Sequence, residues 1–258
     1  MSQPFVEFGK LGHVYPDGSV ALSDVSLRIA RGECVAIIGA NGAGKSTLLQ
    51  HLNGSLLPSS GELRVGDFLV SKASLPQIRR SVGMVFQDPD NQLFMPTVLD
   101  DVAFGPLNLG WPSAEVAQRA RAALDQVGAW PLRDKPPYLL SGGEKKRVAI
   151  ATVLAMSPDI LAMDEPSSGL DPFARRQLIT LLKGFRHTRI LATHDMDMVA
   201  ELCQRSIVLH KGRVAADGPS LDLFRDDLLL ARCRLEKPLA MQACPVCGVA
   251  RHETDACV

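Results

Sequence analysis

Residues 39 to 47 read Gly39-Ala40-Asn41-Gly42-Ala43-Gly44-Lys45-Ser46-Thr47. An apolar run, Cys34-Val35-Ala36-Ile37-Ile38, precedes them, and Thr47-Leu48-Leu49 opens a predicted helix. Strand, glycine-rich loop and helix, in that order, turn this spacing into a P-loop. Gly39, Gly42 and Gly44 give the backbone conformations closed to other residues, so that N–H groups converge on a phosphate. The loop runs into a helix N-terminus, whose free N–H groups and partial positive charge favour an anion. In this reading Lys45 reaches the β- and γ-phosphates and the Ser46 hydroxyl holds Mg²⁺. The alternative is a strand-to-helix turn that merely happens to be glycine-rich; the intact Lys-Ser pair argues against it. The chain is expected to bind a nucleoside triphosphate.

At 258 residues the chain can bury a large core, as one big domain or one domain with a small appendage. Its 28 basic and 28 acidic residues balance, so nothing global points to a polyanion-binding protein. No apolar segment approaches the roughly 20 residues that span a bilayer. Met-Ser-Gln-Pro-Phe-Val-Glu at the start lacks the regions of a signal peptide, and cytosolic residence with reduced thiols is expected. The six cysteines are then core thiols or metal ligands.

The first third reads as short strands and turns. Val25 to Ile29 alternates with period two, and Glu62 to Val65 lies between Gly61 and Gly66. From about Leu75 to Ser157 the pattern becomes helical. One helix is expected to start at Ser113 as N-cap, bury Val116, Ala120, Ala123, Leu124 and Val127, and stop at Gly128. Ile160 to Met163 and Arg189 to Thr193 read as buried strands, and Ile207 to Ala215 as a closing hairpin.

Leu140-Ser141-Gly142-Gly143-Glu144 has the Ser-x-x-Glu spacing of a capping box. Two glycines in a first helical turn are poor for helix stability, but they let another group, such as a phosphate, approach the backbone closely. Ile160-Leu161-Ala162-Met163-Asp164-Glu165 describes a buried strand that delivers acids to its C-terminal end. Asp164 is expected at the Mg²⁺ and Glu165 beside an attacking water. Ser168-Gly169-Leu170-Asp171 and Thr193-His194-Asp195 follow, the latter again at a strand end.

Taken together, these motifs resemble the nucleotide-binding subunit of an ATP-binding cassette (ABC) transporter, over roughly residues 4 to 220. The resemblance implies an α/β P-loop NTPase with a RecA-like core, an N-terminal antiparallel β region and an inserted helical subdomain at about 88–157. It implies ATP and Mg²⁺ as ligands. It makes Tyr15 the aromatic that stacks on adenine, although packing in the Val14-Tyr15-Pro16-Asp17-Gly18 turn is a rival role. Gly39, Ala40, Asn41, Gly42, Ala43, Gly44, Lys45, Ser46 and Thr47 become the Walker A loop. Gln87 becomes the glutamine that contacts Mg²⁺ and water, and Ser141, Gly142 and Gly143 belong to the signature motif. Asp164 and Glu165 are the Walker B aspartate and catalytic glutamate, residues 168–171 the D-loop, and His194 the switch histidine. In such proteins the signature of one subunit completes the ATP site of another, so a homodimer clamping ATP is expected. Its output passes to a transmembrane coupling subunit at the cytoplasmic face of the membrane.

Gln87-Asp88-Pro89-Asp90-Asn91-Gln92-Leu93-Phe94, with Asp100 to Pro106 and Tyr138-Leu139, is similar to energy-coupling-factor ATPases, particularly those for cobalt or nickel uptake. That similarity implies a second membrane partner that binds the metal. Exposed Leu93 and Phe94 beside Asp88, Asp90, Asp100 and Asp101 would suit a partly basic, partly apolar coupling helix; the alternative is acids solvating a loop while the apolar pair packs inward. Residues 221–258 form a C-terminal extension. Within it Cys244, Cys247, His252 and Cys257 have C-x₂-C-x₄-H-x₄-C spacing, the ligand pattern of a zinc knuckle over 244–257. An unstructured thiol-bearing tail is the alternative. No aromatic residue follows Met241 and Arg251 is the only Arg or Lys there, so nucleic acid is not an expected partner. A vitamin or other small solute as cargo is the close rival function. A soluble ABC protein acting on nucleic acid or ribosomes is the rival from another class.

Overall fold

The computed structural model describes residues 5–242, and Cys244, Cys247, His252 and Cys257 lie outside the described residues. The chain opens with β1 (Val6–Val14) and β2 (Val20–Ile29), and β3 (Cys34–Ile38) then runs into α1 (Lys45–Leu52). β4 (Ser60–Val65), β5 (Phe68–Leu69), α2 (Leu75–Ser81) and β6 (Val82–Val85) follow. Three helices come next: α3 (Val98–Asn108), α4 (Ser113–Gln126) and α5 (Gly142–Leu154). After them β7 (Ile160–Asp164), α6 (Pro172–Lys183), β8 (Thr188–Thr193) and α7 (Met196–Leu202) alternate. A hairpin of β9 (Arg205–His210) and β10 (Arg213–Pro219) leads to α8 (Ser220–Arg225) and α9 (Asp227–Cys233).

Two sheets result. One is antiparallel, in the order β2-β1-β4-β5; the other has six strands in the order β10-β9-β3-β8-β7-β6. In the second, β9, β3, β8, β7 and β6 run parallel and only β10 is reversed. Helices or the other sheet cover both of its faces, so its strands alternate between two apolar clusters instead of between apolar and polar. Ala36, Ile38, Leu161, Met163 and Leu191 face the helical side. Val35, Ile37, Ile160, Ala162 and Ile190 face the other side, where Leu48, Leu49 and Leu52 of α1 join residues of the antiparallel sheet. Phe224, Leu229 and Cys233 of the last two helices join the helical-side cluster, so residues beyond 220 pack on the same core.

Several expectations need correction. The stretch from Leu75 to Ser157 is not purely helical, because Val82-Gly83-Met84-Val85 is a fully buried strand paired with β7. Four residues with one glycine are too short to show a period, and only the neighbouring strand defines them. The Ser113 helix starts where expected, but Pro112 occupies the N-cap and no side chain caps it. The predicted stripe is otherwise present: Val116, Ala120, Ala123, Leu124 and Val127 are buried, and Gly128 takes φ +65° at the helix end. Among the described residues no helix is long and apolar enough to cross a membrane.

Gly83 sets the distance between β6 and α5. A Cβ there would collide with Val153 Cγ1 and stand 3.0 Å from Pro158 Cγ. Gly83→Ala is expected to destabilise the fold by about 1–3 kcal/mol through overpacking. Adding Val153→Ala should return part of that loss. Urea unfolding of the single and double variants checks both; additive losses would contradict the shared contact.

Candidate active site

Lys45 heads α1 directly after Gly44, whose φ of +103° places it in the left-handed region that favours glycine. A Cβ on Gly39 would stand 2.5 Å from the Leu209 carbonyl oxygen, so β9 leaves no room for a side chain at the loop entry. No side chain caps α1 and no acid lies in its first turn, so its N–H groups stay free for an anion. The Lys45 ammonium is buried and donates to the carbonyls of Gly39 at 2.8 Å and Ala40 at 3.3 Å.

Parallel strands deliver the other groups to the same edge. β8 lies between β3 and β7, which places Thr193 and His194 between Lys45 and Glu165. Glu165 Oε1 is 3.6 Å from Lys45 Nζ. Its Oε2 accepts from the Thr193 hydroxyl at 2.9 Å and from the His194 backbone N–H at 3.3 Å, and His194 Nδ1 lies 2.9 Å away. The Glu165 backbone has φ +41°, a conformation that costs a non-glycine residue of order 1–3 kcal/mol. Its N–H donates to the Ala192 carbonyl at 2.8 Å, and together with the side-chain bonds this over-determines the carboxylate's position.

Asp164 is 7% exposed, and its Oδ1 is buried without a hydrogen-bond partner. Burial, with Glu165 next to it, raises its carboxyl above the ordinary range; a hydrogen bond from Ser46 and the Lys45 and Lys146 charges pull it back. An orphaned carboxylate oxygen beside a hydroxyl fits a hard cation such as Mg²⁺. Two clefts meet at this point. One, of about 470 Å³, is lined by Tyr15, the 41–47 loop, Gln87, Glu165 and His194. The other, of about 500 Å³, is lined by Gln87, Gly142, Lys146, Asp164 and the 168–170 loop. Gln87 is exposed and borders both. Tyr15 is half-buried, and its hydroxyl is 2.9 Å from Thr47 Oγ1.

Ser141 is the N-cap of α5 in a complete capping box: Glu144 Oε2 accepts from Ser141 N–H at 2.8 Å, and Ser141 Oγ from Glu144 N–H at 3.3 Å. Gly142 faces open space, with only the Gly169 carbonyl near a would-be Cβ, at 3.8 Å. Gly143 differs, because a Cβ there would press on Ala174 of α6 at 2.9 Å; close helix packing accounts for this glycine. Ser141, Gly142 and Gly143 do not line the Lys45 cleft of their own chain. Asp171 caps α6 by accepting from Ala174 N–H at 2.8 Å.

Lys146 escaped the sequence reading. It is 1% exposed, and its ammonium donates to the Gln87 carbonyl at 2.7 Å. Burial lowers its pKa, while Asp88, Asp164 and Glu165 favour the charged form. A helical stripe of Lys146, Ala149, Ile150 and Val153 was the available signal. The Asp195 cluster was also missed. Its carboxylate accepts from Arg175 Nε and Nη2, from Ser167 Oγ at 2.9 Å and from Met198 N–H at 3.0 Å, which clamps the segment after His194.

A family model described as "ABC transporter" matches residues 22–168. A putative ABC transporter ATP-binding protein of Geobacter sulfurreducens is 65% identical over 96% of this chain and 100% of its own length. The energy-coupling factor transporter ATP-binding protein EcfA of Methanothermobacter thermautotrophicus is 46% identical over 90% of this chain and 76% of its own. Among solved structures, cbiO1 of Clostridium perfringens, part of the ABC transporter complex cbiONQ, aligns with TM-score 0.79. It is 41% identical and covers 90% of this chain and 94% of that one.

Because the Asp164 carboxyl is raised, the folded chain keeps a proton there that the unfolded chain has already released. Stability therefore falls as pH rises from the unfolded value near 3.8 through the folded one, and the ionised side chain is a cost above that window. Asp164→Asn is expected to make the nucleotide-free protein more stable at pH 7, with the gain disappearing at acid pH. Hydrolysis in the same variant should fall by at least about tenfold. Thermal melts across pH, with a parallel phosphate-release assay, check the pair of effects.

Proposed function

This chain belongs to the ABC transporter family, and on that premise we propose that it is the ATP-hydrolysing subunit of an energy-coupling-factor importer for cobalt or nickel ions. One observation carries the hydrolytic part: a buried carboxylate, Glu165, fixed by Thr193 and His194 at 3.6 Å from the Lys45 ammonium. Lys45 exchanges its loop carbonyls for the β- and γ-phosphate oxygens. Glu165 accepts a hydrogen bond from the attacking water and polarises it. With Nδ1 held by Glu165, His194 has Nε2 left, which donates to a γ-phosphate oxygen when the ring is an imidazolium. Gln87 orients the water from the other side, and Tyr15 stacks on the adenine. Ser46, Gln87 and Asp164 would hold Mg²⁺, which when bound neutralises phosphate charge.

The second half of the site comes from a second copy. Gly142 opens outward on a cleft its own P-loop does not border, and the N–H groups of Gly142 and Gly143, outside the capping box, suit the γ-phosphate of a facing chain. Two identical chains then build two complete sites in a homodimer. In the residues that receive the transmembrane subunit, two expectations need correction. Leu93 is buried, and Asp101 is buried too, accepting from the N–H groups of Phe94 and Met95 at 3.0 and 3.1 Å. Asp90 is paired with Lys145 at 2.6 Å. What remains for a coupling helix is Phe94, 64% exposed with its ring 4.9 Å from that of Phe104, beside the exposed acids Asp88 and Asp100. With no membrane-crossing helix among the described residues, the chain works as a peripheral subunit at the cytoplasmic face.

Cargo is read by membrane subunits, one of which binds the metal. Cobalt or nickel rests on the likeness of residues 87–94 and 100–106 to metal-uptake ATPases, and a vitamin or other small solute is the rival. Glu165→Gln is expected to retain ATP in a closed dimer and to hydrolyse it about 10²–10⁴-fold more slowly. Size-exclusion chromatography and turnover assays check this, and labelled Co²⁺, Ni²⁺ and vitamin uptake in cells carrying either form tests the cargo. Uptake that is indifferent to Glu165 would sink the reading.

Cys244, Cys247, His252 and Cys257 supply three thiolates and one imidazole, a donor set for a closed tetrahedral Zn²⁺ site in the tail. Purified protein should carry about one zinc per chain, lost in Cys247→Ser, as measured by elemental analysis. Equal and negligible zinc in both forms would end this part of the proposal.

A further inference from the structure

The strand that leads into the phosphate loop begins with a thiol. Cys34 Sγ lies 3.2 Å from Cys203 Sγ, although the two residues are 169 positions apart in the chain. Cys203 sits at the C-cap of α7 and is buried, whereas Cys34 is half-buried. Cys34 lines a recess of about 600 Å³ together with Glu33, Arg189 and Arg205, so a small molecule can reach the pair. We propose that Cys34 and Cys203 are a redox-sensitive dithiol whose reversible disulfide ties β3 to the end of α7 and slows ATP hydrolysis.

The surroundings divide the labour between the two sulfurs. The hydrogen bond with Cys203 lowers the Cys34 pKa and Arg189 adds to this, while burial and Glu33 oppose it. The same hydrogen bond, and burial, push Cys203 the other way. A reachable thiolate beside a protected second thiol is the pairing that peroxide-sensing sites use. The oxidant is hydrogen peroxide. The Cys34 thiolate attacks one peroxide oxygen, the O–O bond breaks, and the leaving hydroxide takes up a proton as water. The sulfur of Cys203 then attacks the resulting Cys34 sulfenic acid. An S–S bond forms, the S–O bond breaks, and the hydroxyl leaves as a second water with the Cys203 proton. Two thiols lose two electrons and the peroxide gains them. The sulfurs need to close by only about 1 Å to reach bonding distance.

The link bears on catalysis through the two elements it joins. β3 ends at Ile38 and hands the chain to Gly39, on the order of 15 Å from Cys34 at the usual rise per strand residue. α7 is entered through His194 and Asp195. A covalent tie at the far end of both elements restrains the switch segment against the phosphate loop. In a reducing cytosol such a bond is transient, as sensing disulfides are.

The test uses the full-length protein and hydrogen peroxide, with tryptic maps by mass spectrometry and ATPase assays before and after dithiothreitol. Wild type is expected to yield a Cys34–Cys203 cross-linked peptide and to lose at least about threefold in turnover, restored by the reductant. Cys34→Ser, active when reduced, should show neither the link nor the loss. Cys203→Ser should hold Cys34 as a sulfenic acid that dimedone traps, which keeps the test valid if one variant folds poorly. Links confined to Cys244, Cys247 and Cys257, or Cys34 passing straight to sulfinic acid in wild type, would overturn the proposal. A complete Cys34–Cys203 bond with unchanged turnover would overturn its effect on hydrolysis.

Discussion

The order of three strands, β3-β8-β7, is the constraint from which the site's chemistry follows. Adjacent strands stand about 4.8 Å apart, so inserting β8 places the Lys45 loop and the Glu165 carboxylate two strand spacings apart at the sheet edge. Direct neighbours would leave no strand end between them to hold the acid in place. The inserted strand instead brings Thr193 and His194, whose hydroxyl and backbone N–H bind Glu165 Oε2. The remaining 3.6 Å contact between Lys45 and Glu165 is loose enough to yield to a ligand.

Charge balance makes this edge tolerable without nucleotide. Lys45, Lys146, Asp164 and Glu165 are all buried, two cations from two helices against two anions at the end of one strand. An unpaired buried charge is expensive, and removing one partner exposes the cost of the other. The set is nevertheless incomplete, since Asp164 Oδ1 has no partner and its carboxyl is raised. The fold holds a destabilised acid where a divalent cation would relieve it. That is the usual bargain of a functional site: local instability held in place by a large apolar core on both faces of the sheet.

Much of this was legible from short motifs, because their geometry is local. The P-loop needs only its own glycines and the helix that follows, and the Ser141–Glu144 box closes within one helical turn. The strand ending in Asp164 announced its burial through four consecutive apolar residues, and all five of its positions are buried. What was not legible depends on partners distant in sequence. Lys146 reads as one charge in the run Glu144-Lys145-Lys146-Arg147, and only the Gln87 carbonyl, 59 positions away, shows why it points inward. Leu93 and Asp101 look like surface residues until the 93–95 segment folds back on α3, where Asp101 accepts from the Phe94 and Met95 N–H groups. Gly143 was read as room for a phosphate, and only the fold adds a second reason for it, the Ala174 side chain of α6 2.9 Å from where a Cβ would stand.

The division between the two glycines of the signature bears on how the site is completed. Gly143 is spent on packing α5 against α6, which fixes the axis of α5 relative to the sheet. Gly142, one position earlier, faces outward with nothing nearer than 3.8 Å, so the open N–H groups at the helix tip are aimed by that packing and not by any ligand. A helix tip held rigidly, facing away from its own phosphate loop, cannot serve that loop by a small adjustment. Bringing it to a γ-phosphate in the same chain would mean unpacking Ala174, Lys146 and the Gln87 carbonyl together. Presenting it to a second chain requires no internal change. In the proposed homodimer, assembly is therefore the lower-cost route to a complete site, and Lys146 ties that helix to the backbone of Gln87, which borders both clefts.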